Sequence, residues 1–445
     1  MPGDPLLDLV RPRLAAARWF GGKGRPAELT EVIPLPWLVA PGTAGLAIRP
    51  ALARVRYTDV PANDGHADEL YQVVLAYGPE RPVAWGPVPG DGGGRVWVGD
   101  VADDPEACAV LWEALRTASS DDGLHVERLE EWPVGLTARR FTGEQSNTSL
   151  LYGDTALLKI FRKIDAGPNL DIDVHRALTR RGSRAAARML GAVTVDPVPD
   201  VLPAATDLVM VVEQLGGAVD GWQAALDALA AGRSFSAEAH SLGAALAQVH
   251  AVLAEAFGTS RTSGERLAAT WSSQARSYAE VAPALSPALP GLQSLFSRVS
   301  GREVDTQRVH GDCHLGQALL TPEGWKIIDF EGEPVKPLAE RARPDSVWRD
   351  VAGLLRSFDY AIASVPHADP AAAAAWHDAC RSALLAGYVD GTGAPIDAVL
   401  LAGYEADRAA YEVVYETRNR PEWVSIPLRA VGRLAGADVT DRRRP

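Results

Sequence analysis

Apolar residues in the first hundred positions follow a helical spacing and then a strand-like one. A short amphipathic helix is predicted by apolar residues at roughly helical intervals, namely Leu6, Leu7, Leu9, Val10 and Leu14. Strands are predicted for the β-branched and aromatic runs at 30–40, 70–78 and 94–101, which Pro, Gly and Asp turns separate. We therefore expect residues 1–101 to form a small α+β unit of their own.

The next segment, residues 102–215, combines helix patterns with a series of short strand patterns. Helices are predicted for 104–118 and 170–182. Strand patterns separated by turns occupy residues 125–134, 137–142, 148–154, 155–163 and 207–215. This order predicts a β-rich lobe whose sheet has five strands and one crossing helix.

From residue 216 to 445 the pattern is mainly helical. One predicted helix follows the serines of 234–236 and places Leu242, Leu246, Val249 and Leu253 on one face. Another begins at Asp369-Pro370, and Gly387 and Gly391 predict its end. A β-rich lobe, a connecting strand and a helical lobe with an acidic loop are the layout of a bilobal protein kinase, so we predict an α+β fold of that kind.

Composition and charge narrow the class of protein. The 445 residues carry a formal net charge of −13, which argues against a nucleic-acid backbone or an anionic membrane as the main partner. A single local cationic pocket would still suffice for an anionic nucleotide. No apolar run reaches membrane-spanning length, and no secretory signal is visible. The three cysteines, Cys108, Cys313 and Cys380, are an odd number far apart, which favours a reducing compartment and predicts a cytoplasmic protein.

The motifs HGDCHLGQ (310–317) and IIDFEGE (327–333) carry the candidate chemistry. Phosphoryl transfer to a hydroxyl needs a carboxylate for the acceptor and oxygen ligands that hold Mg²⁺ against the nucleotide phosphates. Asp312 is the candidate base. Gln317 and Asp329 are the candidate metal ligands, because an amide oxygen follows Asp312 by five residues and a carboxylate follows an apolar strand.

Two other interpretations of this segment are open at the sequence level. His310, Asp312 and His314 alternate, so they would share one exposed face if the segment were a strand. The same His-x-Asp-x-His spacing is compatible with a zinc site in a metallohydrolase. The chain has only 9 His in all, which makes a zinc site the weaker interpretation.

An ATP site is predicted upstream of these motifs. The polar turn that contains Ser146, Asn147 and Thr148 can bind phosphates through backbone N–H groups and hydroxyls. Lys159, in an apolar strand, can reach the α- and β-phosphates if Asp171 or Asp173 provides its acid partner.

A hinge strand follows the second predicted helix. Its last residues, from Glu213 to Leu215, are predicted to hydrogen-bond adenine through the backbone.

The acceptor side is predicted near the end of the chain. Glu405, Glu412 and Glu416 share a helix face, with Trp423 just beyond it, and acids beside an aromatic ring suit a sugar. The alternative is a solvated helix face with pairs such as Arg408–Glu412. Trp348 is predicted either as core or as a wall of the same pocket, and His314 is a further candidate contact.

These motifs, with YEVVYETRNRPEW (411–423), resemble those of the bacterial maltokinase group within the aminoglycoside-phosphotransferase-like branch of the protein-kinase fold. The segment ARWFGGKGR (17–25) is similar to the opening of the N-terminal α/β cap domain of that group. The resemblance implies a cap domain at 1–101, Asp312 as catalytic base, Gln317 and Asp329 as Mg²⁺ ligands, and Lys159 on the ATP phosphates.

The acceptor implied by the resemblance is a small sugar. Maltokinases phosphorylate maltose at its anomeric hydroxyl, whereas similar actinobacterial glucosamine kinases act on the 6-hydroxyl. This chain departs from the maltokinase pattern at Asp173, Cys313, Val347-Trp348 and Arg408. A Trp in the acceptor pocket would favour a monosaccharide, and an acidic pocket would favour an amino sugar. We therefore expect glucosamine first and maltose second, with a non-catalytic nucleotide-binding module as a remoter alternative.

Overall fold

The computed structural model of the protein describes residues 4–42, 45–60, 68–79, 85–90, 94–118, 123–141, 143, 146–333, 336–365 and 369–436. The chain divides into two compact units. Unit 1 comprises Met1–Asp173 and Arg188–Gln214, and unit 2 comprises Val174–Ala187 and Leu215–Pro445. Within the described ranges, no helix is both long enough and apolar enough to cross a membrane.

The first sheet of unit 1 is antiparallel, with strand order β1-β2-β3-β5-β4 and β10 paired to β3. Its strands are β1 (Ala27–Pro34), β2 (Ala47–Tyr57), β3 (Asp68–Gly78), β4 (Gly86–Pro89), β5 (Arg95–Asp100) and β10 (Lys163–Ile164). The predicted amphipathic helix is α1 (Pro5–Ala16), which Asp4 caps by accepting a hydrogen bond from the Leu6 N–H. Val10 and Leu14 of this helix are buried in a core shared with the sheet.

The second sheet of unit 1 has six strands in the order β6-β11-β12-β9-β8-β7. They are β6 (Leu124–Arg128), β7 (Ala138–Arg140), β8 (Thr148–Tyr152), β9 (Ala156–Ile160), β11 (Met189–Val195) and β12 (Thr206–Glu213). The prediction of five strands is therefore wrong, because it omitted β11. Helix α2 (Pro105–Thr117) follows its cap Asp104, and helix α3 (Leu170–Arg180) is the predicted second helix.

Unit 2 is mainly helical, as predicted. Its helices are α4 (Gly221–Ala230), α5 (Ser236–Phe257), α6 (Gly264–Val281), α7 (Leu289–Ser297), α8 (Leu338–Arg341), α9 (Trp348–Ser364), α10 (Pro370–Thr392), α11 (Ala398–Asn419) and α12 (Ser425–Ala435). Two small sheets complete it, β13 (Val219–Asp220) with β16 (Ala318–Thr321) and β17 (Gly324–Ile327), and β14 (Thr259–Ser263) with β15 (Glu303–Gln307). The predicted apolar face of α5 is fully buried.

Helix α10 begins at the predicted Asp369 cap but does not end where the sequence pattern indicated. It continues through Gly387 and Gly391 to Thr392, and its C-cap is Gly393, whose φ of 66° is the left-handed conformation common after a helix C-terminus. Gly387 is a contact point with α5. A Cβ atom there would lie 1.8 Å from the carbonyl oxygen of His240. The glycine therefore allows the two helices to approach closely.

We expect Gly387→Ala to lower the free energy of unfolding by about 1–3 kcal/mol, because the added methyl group would force α5 and α10 apart. Gly216→Ala is the matched control, since nothing lies within 4 Å of a Cβ atom at that position. Chemical denaturation of both variants measures the difference. Equal stability of the two variants would contradict the packing role of Gly387.

Candidate active site

The segment that opens with His310 is a loop rather than a strand. It connects β15 to a 3₁₀ turn at Leu315–Gln317, which leads into the β16–β17 hairpin. Since the segment is not a strand, the interpretation of His310, Asp312 and His314 as one exposed strand face is wrong.

The loop is held by a buried carboxylate of α9. Asp350 accepts hydrogen bonds from the backbone N–H groups of His310 and Gly311, at 2.7 and 2.9 Å. Its Oδ2 also lies 3.0 Å from Nε2 of His250. Burial opposes the ionisation of Asp350, but its hydrogen bond and charge interaction with His250 bring the net pKa below the usual range. The ionised Asp350 thus fixes the backbone of the two residues that directly precede Asp312.

Both histidines of the motif support the local backbone. His310 Nε2 lies 2.9 Å from the Ile328 carbonyl oxygen, so it donates there, and its Nδ1 accepts from the Asp312 N–H at 3.3 Å. His314 Nδ1 accepts from the N–H of Gly316 at 3.1 Å and caps the 3₁₀ turn. Because these ring nitrogens form hydrogen bonds with the backbone, the structure of the loop explains the His-x-Asp-x-His spacing that suggested zinc. The predicted substrate contact of His314 stays a prediction.

Asp312 lines a cavity of about 410 Å³ within unit 2. Its Oδ1 accepts a hydrogen bond from Arg408 Nη2 at 3.0 Å. Burial would raise the pKa of Asp312, but the charges of Arg408 and of the neighbouring histidines outweigh it and lower that pKa. Asp312 is therefore held as a carboxylate at the cavity wall.

Gln317 and Asp329 are brought together by the β16–β17 hairpin. Gln317 Nε2 donates to Asp329 Oδ2 at 3.0 Å, and the Ile328 N–H donates to the Gln317 carbonyl oxygen at 3.0 Å. Asp329 has a φ of 64°, a conformation that few non-glycine residues adopt and that occurs often at functional sites. Amide and carboxylate oxygens are the ligands that Mg²⁺ prefers, so this pair fits the predicted metal.

Phe330 follows Asp329 and packs inside unit 2. Its ring lies 4.9 Å from that of His310 and 5.3 Å from that of His175. The buried aromatic side chain thus fixes the backbone on the far side of Asp329.

Acid and base side chains alternate around the cavity. Glu333 pairs with Arg349 at 2.8 Å, with Lys336 at 2.6 Å and with Arg408 at 3.3 Å. Asp345 pairs with Arg349 at 2.9 Å and accepts a hydrogen bond from the Tyr404 hydroxyl. The cavity is therefore lined by charged groups that mostly neutralise one another.

Lys159 in unit 1 has the acid partner that the sequence predicted. It is buried on β9, and its Nζ lies 3.0 Å from Asp171 Oδ2 at the start of α3. A buried lysine with a buried carboxylate is an ion pair fixed in one geometry. This arrangement fits a lysine held for a phosphate, and the contact with ATP stays a prediction.

The predicted phosphate turn is described from Ser146 onward, and Thr142, Glu144 and Gln145 lie outside the described residues. Asn147 Oδ1 accepts from the backbone N–H of Arg162 at 3.2 Å, and the Thr148 hydroxyl accepts from Arg162 Nε at 2.8 Å. Ser146 is exposed, with its hydroxyl 3.4 Å from Asn147 Nδ2. The Asn147 and Thr148 side chains thus hold the turn onto Arg162.

The predicted hinge begins at the end of β12. The Glu213 N–H donates to the Arg188 carbonyl oxygen and the Gln214 N–H donates to the Thr155 carbonyl oxygen, both at 2.9 Å. Neither N–H can therefore donate to adenine in this arrangement. Leu215 is the first residue of the following segment of unit 2, and its contact with adenine stays a prediction.

The acidic face of α11 contains the pair Arg408–Glu412 of the alternative interpretation, at 3.5 Å, but the face is buried. Glu405, Glu412 and Glu416 are all buried, so the face is not solvated. They pair with arginines, Glu405 with Arg381, Glu412 with Arg356 and Glu416 with Arg420. Glu412 does not line the Asp312 cavity in the described part of the chain, and its carboxylate lies 3.5 Å behind Arg408 Nε.

The two predicted acceptor tryptophans are packed against other side chains of unit 2. Trp348 is 9% exposed in the hydrophobic core, with its ring 5.7 Å from that of Tyr388. Trp423 stacks on Tyr360 at 6.1 Å and under Arg420 at 4.9 Å. Among the residues described, neither lines the Asp312 cavity, and Trp348 lies in the core as one of its two interpretations predicted. The contact of either tryptophan with the acceptor stays a prediction.

Sequence reasoning placed the acceptor side on α11 through its glutamates, but it did not identify the helix face that lines the cavity. Its Tyr404, Asp407, Arg408 and Tyr411 line the cavity at spacings of three, four and seven residues from the first, which is one helix face. That spacing was visible, but glutamates on the same helix were the stronger signal for a sugar site. Cys313 also lines the cavity, and its side chain is 96% buried.

Comparison with known proteins places the chain in a family. A profile of the Phosphotransferase enzyme family, also called APH, matches residues 137–388, more than half of the chain. The protein is therefore a member of the Phosphotransferase enzyme family. This confirms the predicted membership of the aminoglycoside-phosphotransferase-like group.

Two relatives and two solved structures are similar over most of the chain. A glucosamine kinase of Streptacidiphilus jiangxiensis is 29% identical over 372 residues, covering 77% of this chain and 83% of the relative. One of Mycolicibacterium smegmatis is 28% identical over 329 residues, covering 66% and 79%. The structure of a glucosamine kinase with glucosamine, ADP and inorganic phosphate has a TM-score of 0.69 at 23% identity, covering 96% of this chain and 98% of that one. A second crystal form gives 0.70 at 23% identity, covering 95% and 97%. These likenesses confirm the predicted kinase-like fold.

We expect Arg356→Met to lower the free energy of unfolding by about 3–5 kcal/mol, because it leaves the buried Glu412 carboxylate without its main partner. Arg356 donates to Glu412 Oε2 at 2.9 and 2.6 Å and is 1% exposed. The control is Arg261→Met. The ion pair of Arg261 with Asp305 is exposed, so its loss should cost less than about 1 kcal/mol. A similar loss in both variants, measured by urea denaturation, would contradict this role of the buried pair.

Proposed function

We propose that the protein transfers the γ-phosphoryl group of ATP to the 6-hydroxyl of glucosamine, giving glucosamine 6-phosphate and ADP. Membership of the Phosphotransferase enzyme family supports the reaction type, and the two glucosamine kinases that resemble this chain support the acceptor. The observation that carries the proposal is Asp312, held ionised by Arg408 at the wall of a cavity large enough for a small ligand. The partners are thus ATP and a small sugar.

Asp312 is the proposed base. Its carboxylate orients the acceptor hydroxyl and accepts its proton as the new O–P bond forms. Asp350 contributes by holding the backbone of His310 and Gly311, so the carboxylate arrives in a fixed position without reorganisation during the reaction.

The remaining site residues are proposed on the nucleotide side. Gln317 and Asp329 would hold Mg²⁺, which neutralises phosphate charge when bound. Lys159, fixed by Asp171, would position the phosphates. The turn of Ser146, Asn147 and Thr148 would contact the phosphates through its backbone, and Glu213 and Leu215 would flank adenine.

The division of labour along the chain and the compartment are also proposals. Residues 1–101 would form the cap domain, 102–215 the ATP-binding lobe, and 216–445 the lobe with the catalytic loop and the acceptor cavity. A cytoplasmic location is supported by Cys108, Cys313 and Cys380, which are buried free thiols.

An ATP-coupled assay with glucosamine, glucose, N-acetylglucosamine and maltose side by side tests the acceptor. We expect the highest kcat/KM with glucosamine and phosphate on the 6-hydroxyl, as read by NMR of the product. Preference for maltose would show that maltose, and not glucosamine, is the acceptor. The proposed reaction type would be unaffected. Tight ATP binding with no acceptor phosphorylated would favour a non-catalytic nucleotide-binding module.

We expect Asp312→Asn to lower kcat by about 10²–10⁴-fold, because the amide cannot accept the acceptor's proton. ATP affinity, measured by calorimetry, should stay close to that of the wild type. Near-normal turnover would exclude Asp312 as the base.

The Arg408–Asp312 pair predicts a particular pH dependence. Arg408 lowers the pKa of Asp312, so Arg408→Met should raise that pKa and move the acid limb of the kcat/KM profile to higher pH. Arg408→Lys keeps a positive charge and should leave the limb close to its wild-type position. An acid limb that is unmoved in Arg408→Met would show that Asp312 does not control it.

A further inference from the structure

Asp407 differs from the other half-buried acids around the cavity. Asp312, Glu333 and Asp345 each pair with an arginine of the described residues. Asp407 also lines the cavity, but its Oδ1 is buried and accepts no hydrogen bond from any described residue. A buried carboxylate oxygen without a donor is destabilising, so its presence at a cavity wall points to a ligand that supplies the donor.

The position of Asp407 on α11 places it next to the proposed chemistry. The adjacent residue, Arg408, donates to the catalytic Asp312, and Tyr404, Asp407, Arg408 and Tyr411 share one face of the helix. A small acceptor bound against Asp312 would therefore meet this same helix face.

The charges that face Asp407 come from several segments, and they do not offset the effect of its burial. Burial raises its pKa to about 7, the charges of Arg349 and Lys336 lower it, and those of Glu333 and Asp345 raise it. Lys336 and Arg349 are already paired with Glu333 and Asp345. Their charges lower the pKa of Asp407, but burial outweighs them.

Two more titratable groups lie near Asp407, one on a neighbouring helix and one on α11. The pKa of Tyr278 of α6 is raised, by burial first and by the charge of Asp407 second. On α11 itself, Arg408 is engaged with Asp312 and Glu333. Neither tyrosine nor arginine therefore supplies the missing donor to Asp407 Oδ1.

We propose that Asp407 is the residue that selects an amino sugar, by accepting a hydrogen bond from the ammonium group of the acceptor. This inference rests on the proposed glucosamine kinase activity and deepens it. An ammonium supplies both the missing donor and the missing positive charge, and such charge-assisted hydrogen bonds are stronger than neutral ones. A hydroxyl at the same carbon supplies only the donor, and an acetylated amine adds bulk without charge. Asp407 acts on the choice of acceptor rather than on the transfer step.

The test is Asp407→Asn, which keeps the shape of the side chain and removes its charge. We expect the ratio of kcat/KM for glucosamine to kcat/KM for glucose to fall about tenfold to hundredfold, mainly through the KM for glucosamine. If Asp407 had a purely structural role, the substitution would lower kcat/KM for both acceptors together. The ratio would then stay unchanged, and that result would overturn the inference. Glu280→Gln removes a charge from the exposed side of α6 and is the control that should keep the wild-type ratio.

Calorimetry in buffers of different ionisation enthalpy provides a second measurement, which stands even if the variant is less stable. Near pH 7, wild-type protein should release more protons per bound glucosamine than Asp407→Asn does, because the ammonium drives Asp407 to its ionised form. Equal proton release would overturn the inference.

The two proposals fail in different ways. Wild-type protein that does not phosphorylate glucosamine refutes the proposed function and the inference with it. Wild-type activity on glucosamine with an unchanged acceptor ratio in Asp407→Asn refutes only the inference.

Discussion

The buried carboxylate of Asp350 is the interaction on which the rest of the site depends. A single side chain of α9 binds two consecutive backbone N–H groups of the loop, and His250 completes its hydrogen bonding. Taking an ion out of water is costly unless hydrogen bonds replace the lost hydration. Here they do, so the loop has one favoured arrangement. Gly353, one turn later on α9, lets the helix approach the Cys313 carbonyl, because a Cβ atom there would lie 2.2 Å from that oxygen.

Two carboxylates of unit 2 have pKa values that are shifted in opposite directions. Asp312 lies beside Arg408 and has a lowered pKa, whereas Asp407, the residue before Arg408 in sequence, has a pKa raised to about 7. The contrast arises from geometry, because the guanidinium is directed at the first carboxylate and not at the second. The charge of Arg408 thus lowers the pKa of the first acid, whereas burial raises the pKa of the second. Environments that push the pKa values of two carboxylates apart give the two groups different roles in many active sites.

The sequence predicted those features whose causes are local. The apolar face of α5, the Asp369 cap and the motif from Asp312 to Asp329 depend on spacing within one segment, and the structure contains them. Strand β11 was missed because Gly191 and Ala192 weaken its strand pattern. Gly191 is required there, since a Cβ atom would lie 2.2 Å from the Glu127 carbonyl oxygen.

Features that depend on distant partners could not be predicted. Glu412 was assigned to the sugar because Arg356, 56 positions away, gives no signal in its neighbourhood. Gly387 was interpreted as a helix stop because a glycine that allows close packing has the same letter as one that ends a helix. That Asp407 Oδ1 accepts no hydrogen bond from the described residues becomes visible only when the residues of α6, the Glu333 loop and α9 are placed around it.

Arg162 limits how the first two hundred residues can be divided or exchanged between relatives. This guanidinium is 1% exposed, lies between the two sheets of unit 1, and bonds Asp100 of β5 at 2.8 and 3.1 Å and Thr148 of β8 at 2.8 Å. A cut after residue 101 would leave a buried cation without its anion. The two sheets are therefore bound by mutual charge compensation, and neither can be exchanged for the equivalent part of a relative unless its half of the pair is inherited with it.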